Sequence, residues 1–193
     1  IDPFNGQKDL ANRIIRTPLS PDITYSDDPL RMMRAVRFAT QLNFTIEEKS
    51  YNSIKKNSAR LAIISQERIT EELNKIILSK KPSNGFILLF NTELLHQFFP
   101  LLTKLHGVEF IGKHGHKDNF LHTIEVLDNI SKNTNNLWLS IFKFTEGFII
   151  NSEANLSTSF SKSSIYIPTT FISPINGKEA IPFALTRIPT VSS

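Results

Sequence analysis

Helical spacing is clearest in Ser26-Asp27-Asp28-Pro29-Leu30-Arg31-Met32-Met33-Arg34-Ala35-Val36-Arg37-Phe38. The segment opens with a hydroxyl side chain, two acids and an early proline, which are typical of a helix start. Apolar side chains then recur at intervals of three and four residues as far as Leu42. The pattern predicts an amphipathic helix that is capped by Ser26 and ends near Leu42.

One face of this predicted helix carries charged residues at intervals of three, which makes them neighbours: Asp28, Arg31, Arg34 and Arg37. A carboxylate accepts hydrogen bonds, whereas a guanidinium donates them in a planar fork. Asp28 beside Arg31 can therefore match the mixed donor and acceptor edge of a nucleobase. Arg34 and Arg37 can then hold phosphate. The same spacing also suits a solvated ladder of ion pairs, and spacing alone favours that simpler interpretation.

The flanking segments predict a mainly α fold, a compact helical array. Residues 1–25 predict irregular structure around a short strand at Arg13-Ile14-Ile15-Arg16. Thr45-Ile46-Glu47-Glu48 matches a capping box for a second helix that runs to about Asn57. Later helices are expected after a cap at Ser65 and over residues 85–90, 93–98 and 119–132. Two of them have an apolar face that should be buried: Ile69, Leu73, Ile76 and Ile77 after Ser65, and Phe120, Ile124, Leu127 and Ile130 in 119–132.

The composition limits the kinds of partner and site. Lys and Arg number 22 against 18 Asp and Glu, and the net charge of +4 permits a polyanionic partner without requiring one. The sequence has no cysteine, which excludes a disulfide framework, a cysteine zinc site and a thiol nucleophile. No apolar run approaches the roughly 20 residues that a membrane-spanning helix needs. We therefore expect a cytoplasmic protein without a membrane partner.

The composition changes near Leu139. Residues 1–139 hold 33 charged residues, whereas residues 140–193 hold seven in 54 and are rich in Ser, Thr and Pro. The chain begins with Ile1 and has methionine only at 32 and 33. We expect a piece of a longer protein with an irregular tail over 140–193. A frameshift or a join near codon 140 would explain that tail, and so would a divergent natural end.

Six motifs follow one another in the order found in one enzyme family. They are Asp2-Pro3-Phe4-Asn5-Gly6-Gln7-Lys8-Asp9-Leu10, Ile14-Ile15-Arg16-Thr17-Pro18, the segment from Asp27 to Ala39, the segment from Ser65 to Leu73, the segment from Gly115 to Thr123, and Asn136-Leu137-Trp138-Leu139. Together they resemble the bacterial class II tRNA nucleotidyltransferases, the CCA-adding enzymes, and the related poly(A) polymerases. The resemblance covers about residues 1–139 and favours nucleotide recognition over the ion-pair ladder in the first helix.

The resemblance implies that the first helix carries a protein template for nucleotide selection. Asp28 and Arg31 match the acid and the arginine that pair with the base of an incoming CTP or ATP. Arg34 matches the next arginine near the nucleotide, and Arg37 supports the same motif. Asp27 stands where the family usually has Glu, which keeps the charge.

A second motif, from Ser65 to Glu72, is thought to brace the template helix in this family. Its polar members match Arg68 and Glu71. For Arg68 we favour a structural ion pair over contact with the substrate.

The resemblance divides the chain into four parts. Residues 1–25 match the end of the catalytic head, 26–112 a nucleotide-selecting and RNA-binding neck and body, 113–139 the start of an HD-type domain, and 140–193 the tail. No motif here matches the paired aspartates that hold Mg²⁺ in the parent enzymes, nor their Gly-Gly and Arg-Arg-Asp motifs. We therefore expect this chain alone to be inactive and to bind no Mg²⁺.

The resemblance implies tRNA and CTP or ATP as partners. It does not distinguish enzymes that add CCA, A alone or poly(A), and it implies no oligomeric state. Candidate RNA-binding residues are the basic side chains of the helical body: Lys55, Lys56, Arg60, Lys80 and Lys81. Simple solvation at helix C-termini explains each lysine pair as well. A stand-alone RNA-binding helical module without catalysis remains the alternative to a nucleotidyltransferase.

Three histidines invite a metal-site interpretation: His114, His116 and His122. The resemblance implies that His122 matches the first metal ligand of the HD-type domain. Such a site needs a later His-Asp pair, and no histidine follows His122. We therefore expect no complete metal site in this chain.

Overall fold

The computed structural model describes residues 2–107, 110–111, 114–115 and 118–133 of the 193-residue chain. The predicted tail at 140–193, residues 134–139 of the HD-like segment and His116 lie outside the described residues. The described fold is mainly α-helical, as predicted. Its helices lack the combination of length and hydropathy that a bilayer crossing needs, as far as the described ranges extend.

The described elements alternate short helices with four two-residue strands. The helices are α1 (Gly6–Ala11), α2 (Pro21–Asp27), α3 (Leu30–Leu42), α4 (Glu48–Asn57), α5 (Gln66–Ile77), α6 (Pro82–Asn91), α7 (Leu94–Phe98), α8 (Pro100–Thr103) and α9 (Asn119–Ser131), and a 3₁₀ helix (Ser58–Ile63) follows α4. The strands are β1 (Ile14–Ile15), β2 (Thr45–Ile46), β3 (Phe110–Ile111) and β4 (His114–Gly115). β1 pairs with β2 in parallel, and β3 pairs with β4 antiparallel.

The start of α3 differs from the prediction. Ser26 lies in the last turn of α2, which ends at Asp27, and α3 begins only at Leu30. Asp28 between them has an extended backbone (φ −134°, ψ 98°), because a residue that precedes proline is disfavoured in the α conformation. Its Oδ1 accepts a hydrogen bond from the Leu30 amide at 3.2 Å. The prediction of Ser26 as the cap is therefore wrong, and Asp28 satisfies this amide.

Residues 1–25 were expected to be irregular, and this prediction is wrong because α1 and α2 form there around the strand. The Asp2 carboxylate accepts hydrogen bonds from the amides of Gly6 (2.8 Å) and Gln7 (2.9 Å) and so starts α1. Both helices have fewer than eight residues, and neither buries a stripe of apolar side chains. The predicted strand is confirmed at Ile14–Ile15.

The predicted capping box at 45–48 is also wrong, although α4 ends at Asn57 as expected. Asn43 takes the left-handed conformation (φ 54°) after α3 and turns the chain back towards β1. Thr45 and Ile46 therefore pair with β1 as β2. The Glu47 amide donates to the Ile15 carbonyl at 2.9 Å, and α4 starts one residue later.

One hydrophobic core joins the helices. Met32, Met33 and Val36 of α3 are fully buried, and α3 packs against α5 and α6. The predicted apolar faces of α5 and α9 are both buried: Ile69, Leu73, Ile76 and Ile77, and Phe120, Ile124, Leu127 and Ile130.

α6 lies very close to α3 and α5 at Gly85. A Cβ atom added there would lie 2.5 Å from Ile76 Cγ2 and 2.8 Å from Thr40 Oγ1. Both distances are shorter than a van der Waals contact. Glycine is therefore what permits this approach, and the approach holds α3, α5 and α6 together.

Candidate nucleotide-binding site

The N-terminus of α3 brings Asp28 and Arg31 together. Arg31 Nε lies 3.9 Å from Asp28 Oδ2, and the side chains are 45% and 30% exposed. Asp28 Oδ1 is occupied by the Leu30 amide, which fixes the carboxylate while Oδ2 faces the arginine. An acceptor and a planar set of donors thus stand side by side at the protein surface.

Arg31 is held only loosely by the protein. Its Nη1 lies 3.5 Å from Asp27 Oδ2 and donates to the Thr24 carbonyl at 3.4 Å. Charge-assisted hydrogen bonds between N–H and carboxylate are usually about 2.7–2.9 Å long, and exposed ion pairs contribute at most about 1 kcal/mol. The guanidinium can therefore exchange these partners for a ligand at little cost.

Arg68 of α5 approaches the same carboxylate. Its Nη2 lies 4.0 Å from Asp28 Oδ2, and about half of its side chain is exposed. Asp28 is thus flanked by Arg31 and Arg68. The predicted neighbourhood of the two motifs is present, with Arg68 in ion-pair range of the acid.

Glu71 is exposed on α5 and forms no ion pair with the described residues. Its neighbour Glu72 is instead buried, and the Glu72 side chain is 7% exposed. Glu72 Oε2 lies 2.8 Å from Arg37 Nε, and Glu72 Oε1 accepts a hydrogen bond from Lys75 Nζ at 2.9 Å. The acid that connects α5 to α3 is therefore Glu72, which the sequence analysis missed. A signal exists, because Glu72 falls in register with the buried Ile69 and Ile76.

Arg37 leaves the exposed charged face of α3. Its side chain is 13% exposed, and its guanidinium carbon lies 4.1 Å from the ring centre of Phe38. The Nε hydrogen does not point at Glu72 Oε2, so the 2.8 Å contact is an ion pair without a well-directed hydrogen bond. Arg37 is thus engaged within the protein, whereas the sequence analysis assigned it to phosphate.

Arg34 has the opposite environment. It is exposed one turn after Arg31 and, within the described ranges, has neither an ion pair nor a side-chain hydrogen bond. The face of α3 next to the Asp28 carboxylate therefore offers two accessible guanidinium groups. A base and a polyphosphate are ligands that this combination can bind.

The five predicted RNA-binding residues fall into two groups. Lys55 Nζ lies 3.3 Å from Glu93 Oε1, Lys56 Nζ lies 2.6 Å from Asp22 Oδ2, and Arg60 Nη2 donates to the Ser26 carbonyl at 2.9 Å. The side chains of Lys80 and Lys81 are exposed between α5 and α6 and have no ion-pair partner in the described part of the chain. The last two residues are therefore the more accessible cations.

His122 is exposed on α9. No group of three or more His, Cys, Asp or Glu side chains in the described residues is placed to share a metal ion. The nearby acid Asp118 instead caps α9 by accepting the Leu121 amide at 3.0 Å and also accepts the Gly107 amide at 2.8 Å.

Comparison with known proteins relates part of this chain to an RNA-binding family and to CCA-adding enzymes. A family model described as "Probable RNA and SrmB- binding site of polymerase A" matches residues 43–105, which extend from β2 past α8. A CCA-adding enzyme of Ligilactobacillus salivarius is 48% identical over 101 residues, which are 52% of this chain and 25% of the relative. A CC-adding tRNA nucleotidyltransferase of Halalkalibacterium halodurans is 39% identical over 100 residues, 52% of this chain and 26% of the relative.

A solved structure agrees with these relatives. The crystal structure of the Bacillus stearothermophilus CCA-adding enzyme in complex with CTP superposes with a TM-score of 0.51 at 36% identity and covers 54% of this chain and 27% of that one. The chain thus spans about a quarter of the length of the curated relatives it matches. Over about half of its length the chain is homologous to CCA-adding enzymes, and its residues 43–105 match the RNA-binding family of polymerase A.

Proposed function

We propose that this chain supplies the base-selecting helix and the RNA-binding body of a tRNA nucleotidyltransferase, which adds CMP and AMP to the tRNA 3′ end. Asp28 and Arg31 pair with the base of CTP or ATP, and Arg34 binds its phosphates. The observation that carries the proposal is the exposed pair at the start of α3, where Asp28 Oδ2 lies 3.9 Å from Arg31 Nε. The relative crystallised with CTP supports the choice of ligand.

The chemistry of the pair explains why C and A are the bases proposed. Cytosine and adenine each present an exocyclic amino group beside a ring nitrogen, so a carboxylate can accept from the former while a guanidinium donates to the latter. Uracil and guanine present a carbonyl oxygen and an N–H at these places, which would face the carboxylate and the arginine with the wrong polarity. Asp28 and Arg31 therefore have the polarity to reject them.

Binding of nucleotides to the wild-type chain tests the proposal. We expect CTP and ATP to shift the amide resonances of Leu30 and Arg31 in ¹H–¹⁵N spectra, and GTP and UTP to shift them much less. Asp28→Asn should abolish the discrimination, because an amide donates where the carboxylate only accepts. Glu48→Gln, at an exposed acid on α4, is the matched control and should behave as wild type. Equal binding of all four nucleotides would reject the proposal.

The transfer step itself needs groups that this proposal does not assign to the chain. The parent family uses Mg²⁺, and among the described residues no group of three or more acids and histidines is placed to share a metal ion. We propose that this chain alone does not transfer nucleotides. With tRNA as the substrate, we propose the cytoplasm as the place of action.

A second candidate function is an RNA-binding helical module without nucleotide selection. The family match over residues 43–105 favours it, together with the accessible Lys80 and Lys81. This candidate predicts tRNA binding that weakens steeply with salt, together with no preference among nucleotides. A gel shift at several salt concentrations combined with the nucleotide titration separates the two functions.

A further inference from the structure

We infer that Asp22, Lys56 and Arg60 are positioning residues for the base-selecting pair Asp28 and Arg31, so that Lys56 and Arg60 hold α2 in place rather than bind RNA phosphates. The inference rests on the proposed function, because only that function gives the pair a base to select. It reverses the assignment that the sequence pattern suggested for the two basic residues.

A short connection joins α2 to α3. Only Asp28 and Pro29 lie between the end of α2 and the start of α3. Proline has a fixed φ, and Asp28 is extended. The direction of the Asp28 carboxylate therefore follows from the position of the last turn of α2.

The first turn of α2 is held by α4 through one carboxylate. Asp22 accepts hydrogen bonds from Lys56 Nζ at 2.6 Å, from Ser53 Oγ at 2.5 Å and more weakly from Asn57 Nδ2 at 3.5 Å. The Lys56 and Ser53 hydrogen bonds hold the pKa of Asp22 below its ordinary value. Three donors from successive turns of α4 thus converge on one acid of α2.

The middle and the end of α2 are held as well. Tyr25 is buried, at the centre of a helix that packs against α4. Arg60 Nη2 donates to the Ser26 carbonyl at 2.9 Å. Carbonyls of a last helical turn lack an intrahelical partner and carry partial negative charge, so a guanidinium satisfies them well. Contacts at both ends fix the rotation and the tilt of this two-turn helix.

The contacts also decide what Lys56 and Arg60 are available for. An RNA phosphate would compete with Asp22 for Lys56 and, at Nη2, with the Ser26 carbonyl for Arg60. Lys80 has no such competitor among the described side chains. The residues that hold α2 lie within the segment that matches the RNA-binding family, whereas α2 itself lies before it. That segment therefore includes support for base selection.

Arg60→Gln in the full chain tests the inference, with Lys80→Gln as the charge-matched control and Arg60→Lys as the conservative variant. We expect Arg60→Gln to shift the amide resonances of Leu30 and Arg31 in the absence of any ligand. Amide exchange in α2 should become roughly two- to tenfold faster, the range that one hydrogen bond accounts for. Lys80→Gln should change neither, and Arg60→Lys should restore most of both.

A tRNA titration at several salt concentrations measures whether Arg60 or Lys80 contacts RNA phosphates. Loss of one phosphate contact lowers the slope of log affinity against log salt by about 0.9. We expect that decrease for Lys80→Gln and an unchanged slope for Arg60→Gln. The inference is overturned if Arg60→Gln leaves the Leu30 and Arg31 amides unshifted, or if it reduces the salt slope as Lys80→Gln does.

Two further features keep the test decisive. Should Arg60→Gln fail to fold, Asp22→Asn takes its place, because it weakens the contact with Lys56 while preserving the shape of the side chain. Should the wild-type chain bind neither CTP nor tRNA, the proposed function fails. The ligand-free amide shifts and the exchange rates still accept or reject the positioning role on their own.

Discussion

Arg37 Nε lies 2.8 Å from Glu72 Oε2, and together these two largely buried side chains connect α3 to α5. A charge in such surroundings is tolerable only while its partner is present, because desolvation costs several kcal/mol per ion. Lys75 Nζ adds a second positive contact, 2.9 Å from Glu72 Oε1, from within α5. The packing of the base-selecting helix on α5 therefore depends on a charge pair as well as on apolar contacts.

Removal of one member of this pair should be costly. We expect Glu72→Gln to lower the free energy of unfolding by about 3 kcal/mol, since it leaves the Arg37 charge buried without a counterion. Urea unfolding measures the change. Glu71→Gln, at the exposed neighbouring position, should stay within about 0.5 kcal/mol of wild type. Equal effects of the two substitutions would show that the pair is not a buried one.

Gly85→Ala should destabilise the contact between α6 and its two neighbours. The added Cβ meets Ile76 Cγ2 at 2.5 Å, and overpacking of this kind costs about 1–3 kcal/mol. The better helix propensity of alanine offsets up to about 1 kcal/mol of that cost. A net loss in the free energy of unfolding by urea titration would agree with the prediction, and a net gain would contradict it.

The stability of the contact between α2 and α4 should depend on acid pH. Hydrogen bonds from Lys56 and Ser53 place the pKa of Asp22 in the folded protein below the value of 3.8 for the free group. Its contribution is therefore complete above about pH 5 and decreases as the pH falls through 3.8 towards the folded pKa, because the unfolded chain then binds the extra proton. Unfolding measured from neutral to acid pH should show this decrease in wild type and a shallower one in Asp22→Asn. An identical slope in both proteins would count against it.

The start of α6 should depend on an acid of α9. Asp128 Oδ1 accepts from the Ser83 amide at 2.8 Å, and Asp128 Oδ2 accepts from the Ser83 hydroxyl at 2.6 Å. Loss of a helix-capping acceptor costs about 1 kcal/mol, so Asp128→Ala should speed amide exchange at the start of α6. Asn129→Ala, at the exposed next residue, is the control. Exchange at Ser83 that does not change in Asp128→Ala would refute the capping role.

The longer helices were predictable because each buries a stripe of apolar residues. α3, α5 and α9 have 12 or 13 residues, and the predicted faces of the last two are buried as expected. The six-residue α1 and the seven-residue α2 carry no such stripe. Contacts with the Asp2 and Asp22 carboxylates hold these helices instead. These contacts depend on tertiary structure or on local turns that periodicity does not detect.

The candidate site was predictable in its residue types and less so in its partners. Helical spacing predicted that Asp28 and Arg31 lie close together, and they do, although Asp28 precedes α3. Their role with a base stays a prediction. The burial of Arg37 against Glu72 arises from the way in which α5 crosses α3, which no pattern within one helix contains. Pro29 explains why α3 starts later than predicted. It keeps Asp28 out of the helix, where the Asp28 carboxylate accepts a hydrogen bond from the Leu30 amide.

The parallel pairing of β1 with β2 closes a loop, because it joins Ile14 to Thr45 across 31 positions of the chain. The closure entropy of such a loop grows slowly, by only about 0.6 kcal/mol for a doubling of its length. Extra residues between β1 and α2 would therefore cost little stability. A single extra residue between Asp28 and Leu30 would move the acid away from its arginine and from the Leu30 amide. The loop thus tolerates changes in length on one side of α2 and demands a fixed length on the other.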